Sequence, residues 1–140
     1  MIKRVSHATL YVKDQNEALR FYTEKLGFEV RSDVTKGDFR WLTVGVKDQP
    51  DFEFILFALK PDNFFLNEQD VKTISDLLER GKLGSPLMNT DDIQKDFEAM
   101  KAKGVEFVRP PTENPYAIEA IFKDNSGNTF SLHQYKFPQK

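Results

Sequence analysis

Residues 4–12, RVSHATLYV, alternate between two kinds of side chain, the period-two signature of a strand with unlike faces. Ser6, Ala8, Leu10 and Val12 fall on one face, and His7, Thr9 and Tyr11 on the other. After Asp14 the period lengthens. Ala18, Leu19, Tyr22 and Leu26 mark one stripe of a helix running to about Lys25, with Asp14 as its N-cap and Gly27 in the C′ position. Three strand-like runs follow, over 28–35, 39–46 and 52–59, separated by the turn-prone KGD and KDQPD.

The pattern then recurs. SPLMNT (85–90) reads as a strand, Asp91 or Asp92 caps a helix carrying Ile93, Phe97 and Met100, and Gly104 ends it. GVEFV (104–108) mirrors GFEVR (27–31), and AIEAIFK (117–123) and TFSLHQ (129–134) complete the set. The offset is 78 residues from His7 to Ser85 but 77 from Gly27 to Gly104, so the second helix is one residue shorter. A strand-helix-three-strand unit therefore appears twice, at about 1–59 and 85–136. The joining stretch, about 60–84, holds NEQDVKTISDLLERG, an amphipathic helix over Asn67–Arg80 with Val71, Ile74, Leu77 and Leu78 on one face. It is a lid, a dimer clasp or an outer connector. DNSGN (124–128) is a turn feeding the last strand, and Pro110-Pro111 with Asn114-Pro115-Tyr116 mark a stiff loop before the seventh.

Two βαβββ units, Val12-Lys13-Asp14 before the first helix, Phe21-Tyr22, Leu26-Gly27-Phe28 and the Asp124–Asn128 turn together resemble the vicinal oxygen chelate superfamily of glyoxalases, extradiol dioxygenases, and bleomycin and fosfomycin resistance proteins. The resemblance covers nearly the whole chain outside 60–84. It implies a single α+β domain whose paired units form a curled mixed sheet with a concave cleft. A glyoxalase-like member takes metal ligands from the first and fourth strand of each unit, which here are His7, Leu56, Ser85 and Ser131. Divalent metals want imidazole, carboxylate or thiolate donors. Leucine cannot donate and serine is weakly basic, so the inherited site reads as dismantled, with no metal and no cofactor expected.

From the Ser131 position, parity sends Thr129 and His133 to the cleft with it. On the other strands it sends His7, Thr9 and Tyr11, then Phe39, Trp41 and Thr43, then Phe54, Leu56 and Ala58. The expected ligand wall is His7, Thr9, Trp41, Phe54, Leu56, Ser131 and His133, with Tyr116 either closing over a ligand or packing as a turn. Such a wall suits a flat apolar or aromatic molecule. Glu119 shares parity with Ala117 and Ile121. It is a solvated carboxylate, a general-base partner for histidine, or a third donor with His7 and His133 in a relocated metal site of a lyase or dioxygenase.

Composition narrows the partners. The 140 residues hold 13 Phe, 4 Tyr and 1 Trp, a number that fills a core and is also able to line an apolar cavity. The net charge of −2 with mixed signs argues against nucleic acid. No apolar run reaches the ~20 residues of a membrane span, and MIKRVSHATLYV shows no signal-peptide core, so the expectation is cytoplasmic. The absence of cysteine excludes thiolate ligands and thiol nucleophiles. P-loop, dinucleotide-binding and nucleophile-elbow motifs are missing too. The remaining expectation is a small-molecule binder that pairs as a homodimer to cover its sheet edges.

Overall fold

The computed structural model describes residues 1–62 and 65–138, with Ser85 described by its backbone alone. The chain divides into two compact units, 1–76 and 77–140. The first contains β1 (His7–Val12), α1 (Gln15–Arg20), β2 (Glu29–Lys36), β3 (Phe39–Gly45) and β4 (Glu53–Ala58). Helix α2 (Glu68–Glu79) follows, then β5 (Gly84–Asn89), α3 (Ile93–Ala102), β6 (Glu106–Glu113), β7 (Ala117–Lys123) and β8 (Thr129–Tyr135). The sheets have the orders β1-β4-β3-β2 and β5-β8-β7-β6. In each, the first strand lies parallel to the fourth and the other pairs are antiparallel. This is an α+β architecture of two four-stranded mixed sheets and three helices.

The repeat extends to its local devices. Asp14 accepts from the Glu17 N–H at 2.9 Å and Asp92 from the Lys95 N–H at 3.1 Å, the same cap in each unit. Gly27 and Gly104 close the two helices at φ 73° and 90°, a backbone region that costs other residues energy. Between cap and glycine the helices differ. In the first, α1 continues as a π-helical turn over Phe21–Lys25, whereas α3 is regular to Ala102. A π turn is how a helix absorbs one inserted residue, and it accounts for the slip from 78 to 77 residues between the repeats. The bulges recur as well: the ladder shifts between Val30 and Ser32 in β2, and between Phe107 and Arg109 in β6.

Strand β6 departs from expectation. Pro110-Pro111 do not form a loop but lie inside it, at a second shift between Arg109 and Thr112. Proline lacks an N–H, so it is tolerated on an edge strand at a bulge, and β6 is an edge of its sheet. Helix α2 is capped reciprocally: Asn67 Oδ1 accepts from the Asp70 N–H at 2.8 Å, and Asp70 Oδ2 from the Asn67 N–H at 2.9 Å.

Each sheet buries one face. In the first unit Leu10, Val12, Leu42, Val44, Phe54 and Leu56 are buried with Ala18, Phe21 and Tyr22 of the helical segment. In the second, Ala120, Phe122, Phe130 and Leu132 are buried with Leu78 and Ile93, and Phe97, Phe107, Phe122 and Phe130 run ring to ring at 4.7, 5.7 and 5.3 Å. The turn into β8 is built around Asp124, which is 5% exposed. Its Oδ1 accepts from the N–H groups of Ser126, Gly127 and Asn128, each at 2.9 Å. Gly127 is obligatory there, because at φ 106° a Cβ would stand 2.1 Å from the Leu78 carbonyl oxygen. Among the described residues no helix is long and apolar enough to cross a membrane.

Candidate functional site

The face of the first sheet opposite its core carries the chemistry of that unit. The parallel register pairs His7 with Glu53, Thr9 with Ile55 and Tyr11 with Phe57. Strand β3 adds Thr43, opposite Ile55, and Trp41 two residues before it on the same face. His7 is held at both ring nitrogens: Nδ1 lies 2.8 Å from Ser6 Oγ and Nε2 3.5 Å from Glu53 Oε1. Thr43, fully buried, donates its hydroxyl to that same carboxylate oxygen at 2.7 Å. The Trp41 ring tilts over the His7 ring at 5.8 Å. A polar cluster is thus set in an aromatic wall that continues through Tyr11, Phe57 and Phe39, with ring separations of 5.9 and 6.0 Å. Phe39 is 46% exposed. Where the wall ends, a recess of about 520 Å³ opens between Phe39, Phe57, Gln15, Lys36, Lys60 and Asp62.

This geometry corrects the expected parity of β4. Phe54 and Leu56 pair with Ala8 and Leu10 and are buried at 6% and 0%. They belong to the core rather than to the His7 face. Glu53, Ile55 and Phe57 take their place, and Glu53 is the functional candidate that sequence reasoning missed. The run FEFILFAL is apolar at both parities beyond Glu53, so only the pairing with β1 decides which residues face His7.

In the second unit the expected parity of β8 matches the register. Thr129, Ser131, His133 and Tyr135 share a face with Lys123, Ile121, Glu119 and Ala117 of β7. Glu119 stands directly across from His133, with an oxygen 3.0 Å from its Nε2. The imidazole is 11% exposed and the carboxylate 31%. His133 Nδ1 is buried with no hydrogen-bond partner among the described residues, an arrangement that costs a fold about 1–3 kcal/mol per acceptor. On β5, Leu87 and Asn89 pair with Ser131 and His133. Tyr116 is 61% exposed in the turn before β7, and its carbonyl accepts from the Lys136 N–H at 3.0 Å. The Ser85 side chain lies outside the described residues.

A metal of the kind the superfamily's enzymes use needs three or four nitrogen, sulfur or carboxylate donors. Each unit supplies one imidazole and one carboxylate, already engaged with each other. Among the described residues no group of three or more His, Asp or Glu side chains could hold an ion. Two charged perturbations flank the first face. Burial, reinforced by Asp62, raises the Tyr11 phenol above its ordinary value and keeps it a hydrogen-bond donor. Arg40 donates to both Asp33 oxygens at 2.8 and 2.9 Å and lowers that carboxyl's pKa.

Paired βαβββ units with these caps and this strand order define a known class. The chain belongs to the Glyoxalase/Bleomycin resistance protein/Dioxygenase superfamily, whose family model matches residues 4–132. It is 36% identical over 126 residues to the uncharacterized protein YurT of Bacillus subtilis (strain 168), covering 90% of this chain and 94% of that one. The crystal structure of UcmS2 shares 43% identity and a TM-score of 0.89, over 95% of this chain and 98% of the other. That of TnmS3, an antibiotic binding protein from Streptomyces sp. CB03234, shares 28% identity and a TM-score of 0.75, over 96% and 98%.

Proposed function

We propose that this protein binds a small, flat, apolar or aromatic molecule without a metal, holding it rather than transforming it. The observation that carries the reading is the aromatic wall of the first unit, Trp41, Phe57, Phe39 and Tyr11, with the His7–Glu53–Thr43 cluster set in it. Aromatic faces with a few fixed polar groups are how proteins hold planar organic ligands. His7, Thr9 and Trp41 are the proposed ligand-binding residues on the face of the first unit, and Ser131, His133 and Tyr116 are proposed for the second unit taken by itself. Likeness to an antibiotic-binding protein supports the class of ligand. The same reading has the protein in the cytoplasm as a homodimer, with Val34, 60% exposed on edge strand β2, as apolar surface a second copy would cover.

The single tryptophan makes the test direct. Titration with planar polycyclic antibiotics is expected to quench Trp41 emission saturably, with a dissociation constant at or below about 10 μM, equivalent to roughly 7 kcal/mol. Trp41→Phe should silence the signal while calorimetry still registers binding. Absence of saturable quenching, together with no thermal stabilisation by any planar ligand, rejects the reading.

A further inference from the structure

His133 and Glu119 form a pair whose chemistry a binding wall alone does not require. A carboxylate only accepts hydrogen bonds, so with Glu119 3.0 Å from Nε2 the neutral ring carries its proton on Nε2. Nδ1 is then a bare lone pair, and it is the ring atom left buried without a partner among the described residues. His7 shows the contrast, since Ser6 Oγ fills its Nδ1 position at 2.8 Å. Buried acceptors in folded proteins are nearly always satisfied. A carboxylate-backed imidazole with its second nitrogen open is also the arrangement that makes histidine an effective proton acceptor.

We propose that His133, oriented by Glu119, accepts a proton from a ligand bearing a phenolic or enolic hydroxyl. The proton leaves the ligand oxygen for Nδ1, the O–H bond breaks as the N–H bond forms, and the ligand remains bound as its phenolate or enolate. Glu119 holds the resulting imidazolium through Nε2–H. Tyr135, whose ring stands 5.9 Å from the imidazole at 70°, gives an aromatic ligand an edge to pack on. Asn89 and Ser131, beside His133 in the ladder and along the strand, offer further polar groups. The imidazole is 11% exposed, so entry requires the side chains over Nδ1 to shift, and the gained hydrogen bond favours that shift. The inference rests on the binding reading for the class of ligand and adds the group that a ligand of the second unit must carry.

Two measurements test it. In the free protein, ¹⁵N spectra of the two histidines, separated by His7→Gln, should show the neutral form of His133 carrying its proton on Nε2. A neutral form protonated on Nδ1 overturns the proposal. The second uses a hydroxyanthraquinone, whose phenolate absorbs to the red of its phenol, and its methyl ether as control, at a pH below the free phenol's pKa. The wild type should red-shift the hydroxy probe on binding and prefer it over the ether by about 10- to 100-fold. His133→Phe should abolish both shift and preference, and Glu119→Gln, which keeps the side chain's shape, should weaken both. Binding of both probes with equal affinity and no red shift sinks this inference alone. No calorimetric binding of either probe also sinks this inference, and with it the binding reading only where no planar ligand quenches Trp41 or stabilises the protein.

Discussion

Asp124 shows how much one side chain can determine. It satisfies three backbone donors of a five-residue turn and accepts from the Asn128 amide at 2.9 Å, at 5% exposure. Asp124→Ala should therefore cost about 3 kcal/mol or more, because buried N–H groups are left unpaired, as read by chemical denaturation. Asp124→Asn should fall between the two, since one new amide donor faces another. Asp33 behaves differently. Its carboxyl is lowered by the Arg40 hydrogen bonds, so the pair contributes stability above the ordinary carboxylate range near pH ~4 and loses it as pH falls through the lowered value. Arg40 stays charged throughout. Thermal melts of Asp33→Asn should lie below the wild type at neutral pH and converge with it at strongly acidic pH; a constant gap would reject the assignment. The effect is modest, because Asp33 is 38% exposed.

At the scale of elements, the two helices differ in slack. The π turn at Phe21–Lys25 stores one extra residue, while α3 has none. Deleting exposed Glu24 should let the first helix close as a regular α-helix, costing roughly 2 kcal/mol or less. Deleting exposed Glu98 from α3 should rotate Phe97 or Met100 out of register and cost much more. Circular dichroism melts of the two deletions decide it, and equal losses would refute the role of the π turn. The strands teach a related lesson. A strand with contrasting faces, such as β1 or β8, declares its parity in its composition. Strand β4, apolar on both faces after Glu53, acquires its parity only from the partner beside it.

For the whole molecule, the open question is assembly. The proposed homodimer predicts a sedimenting mass about twice the 16.2 kDa chain at micromolar concentration. Val34→Lys, on edge strand β2, should shift that mass toward one chain without lowering the melting temperature of the separated protomer, because an edge charge opposes strand-to-strand association. A single-chain mass in the wild type would remove the homodimer from the functional reading. It would leave the Trp41 titration unaffected.

The order of elements, the first N-cap, the glycine closures, the twofold repeat and its one-residue slip were legible in the chain, because periodicity and capping are local properties of a few neighbouring residues. The sequence admits Asp91 or Asp92 as the second cap, and the structure selects Asp92. So was the shared face of Ser131 and His133, through strict alternation along a short strand. The partnership of His7 with Glu53, and of His133 with Glu119, was not legible as contact. Residues 46 and 14 positions apart meet only when strands choose their neighbours and register. That choice belongs to the packed sheet, where a one-residue shift exchanges every side chain between core and surface. The prolines of β6 follow the same rule: local chemistry marks them as a break, and only an edge position, fixed by the sheet as a whole, lets them stay within a strand.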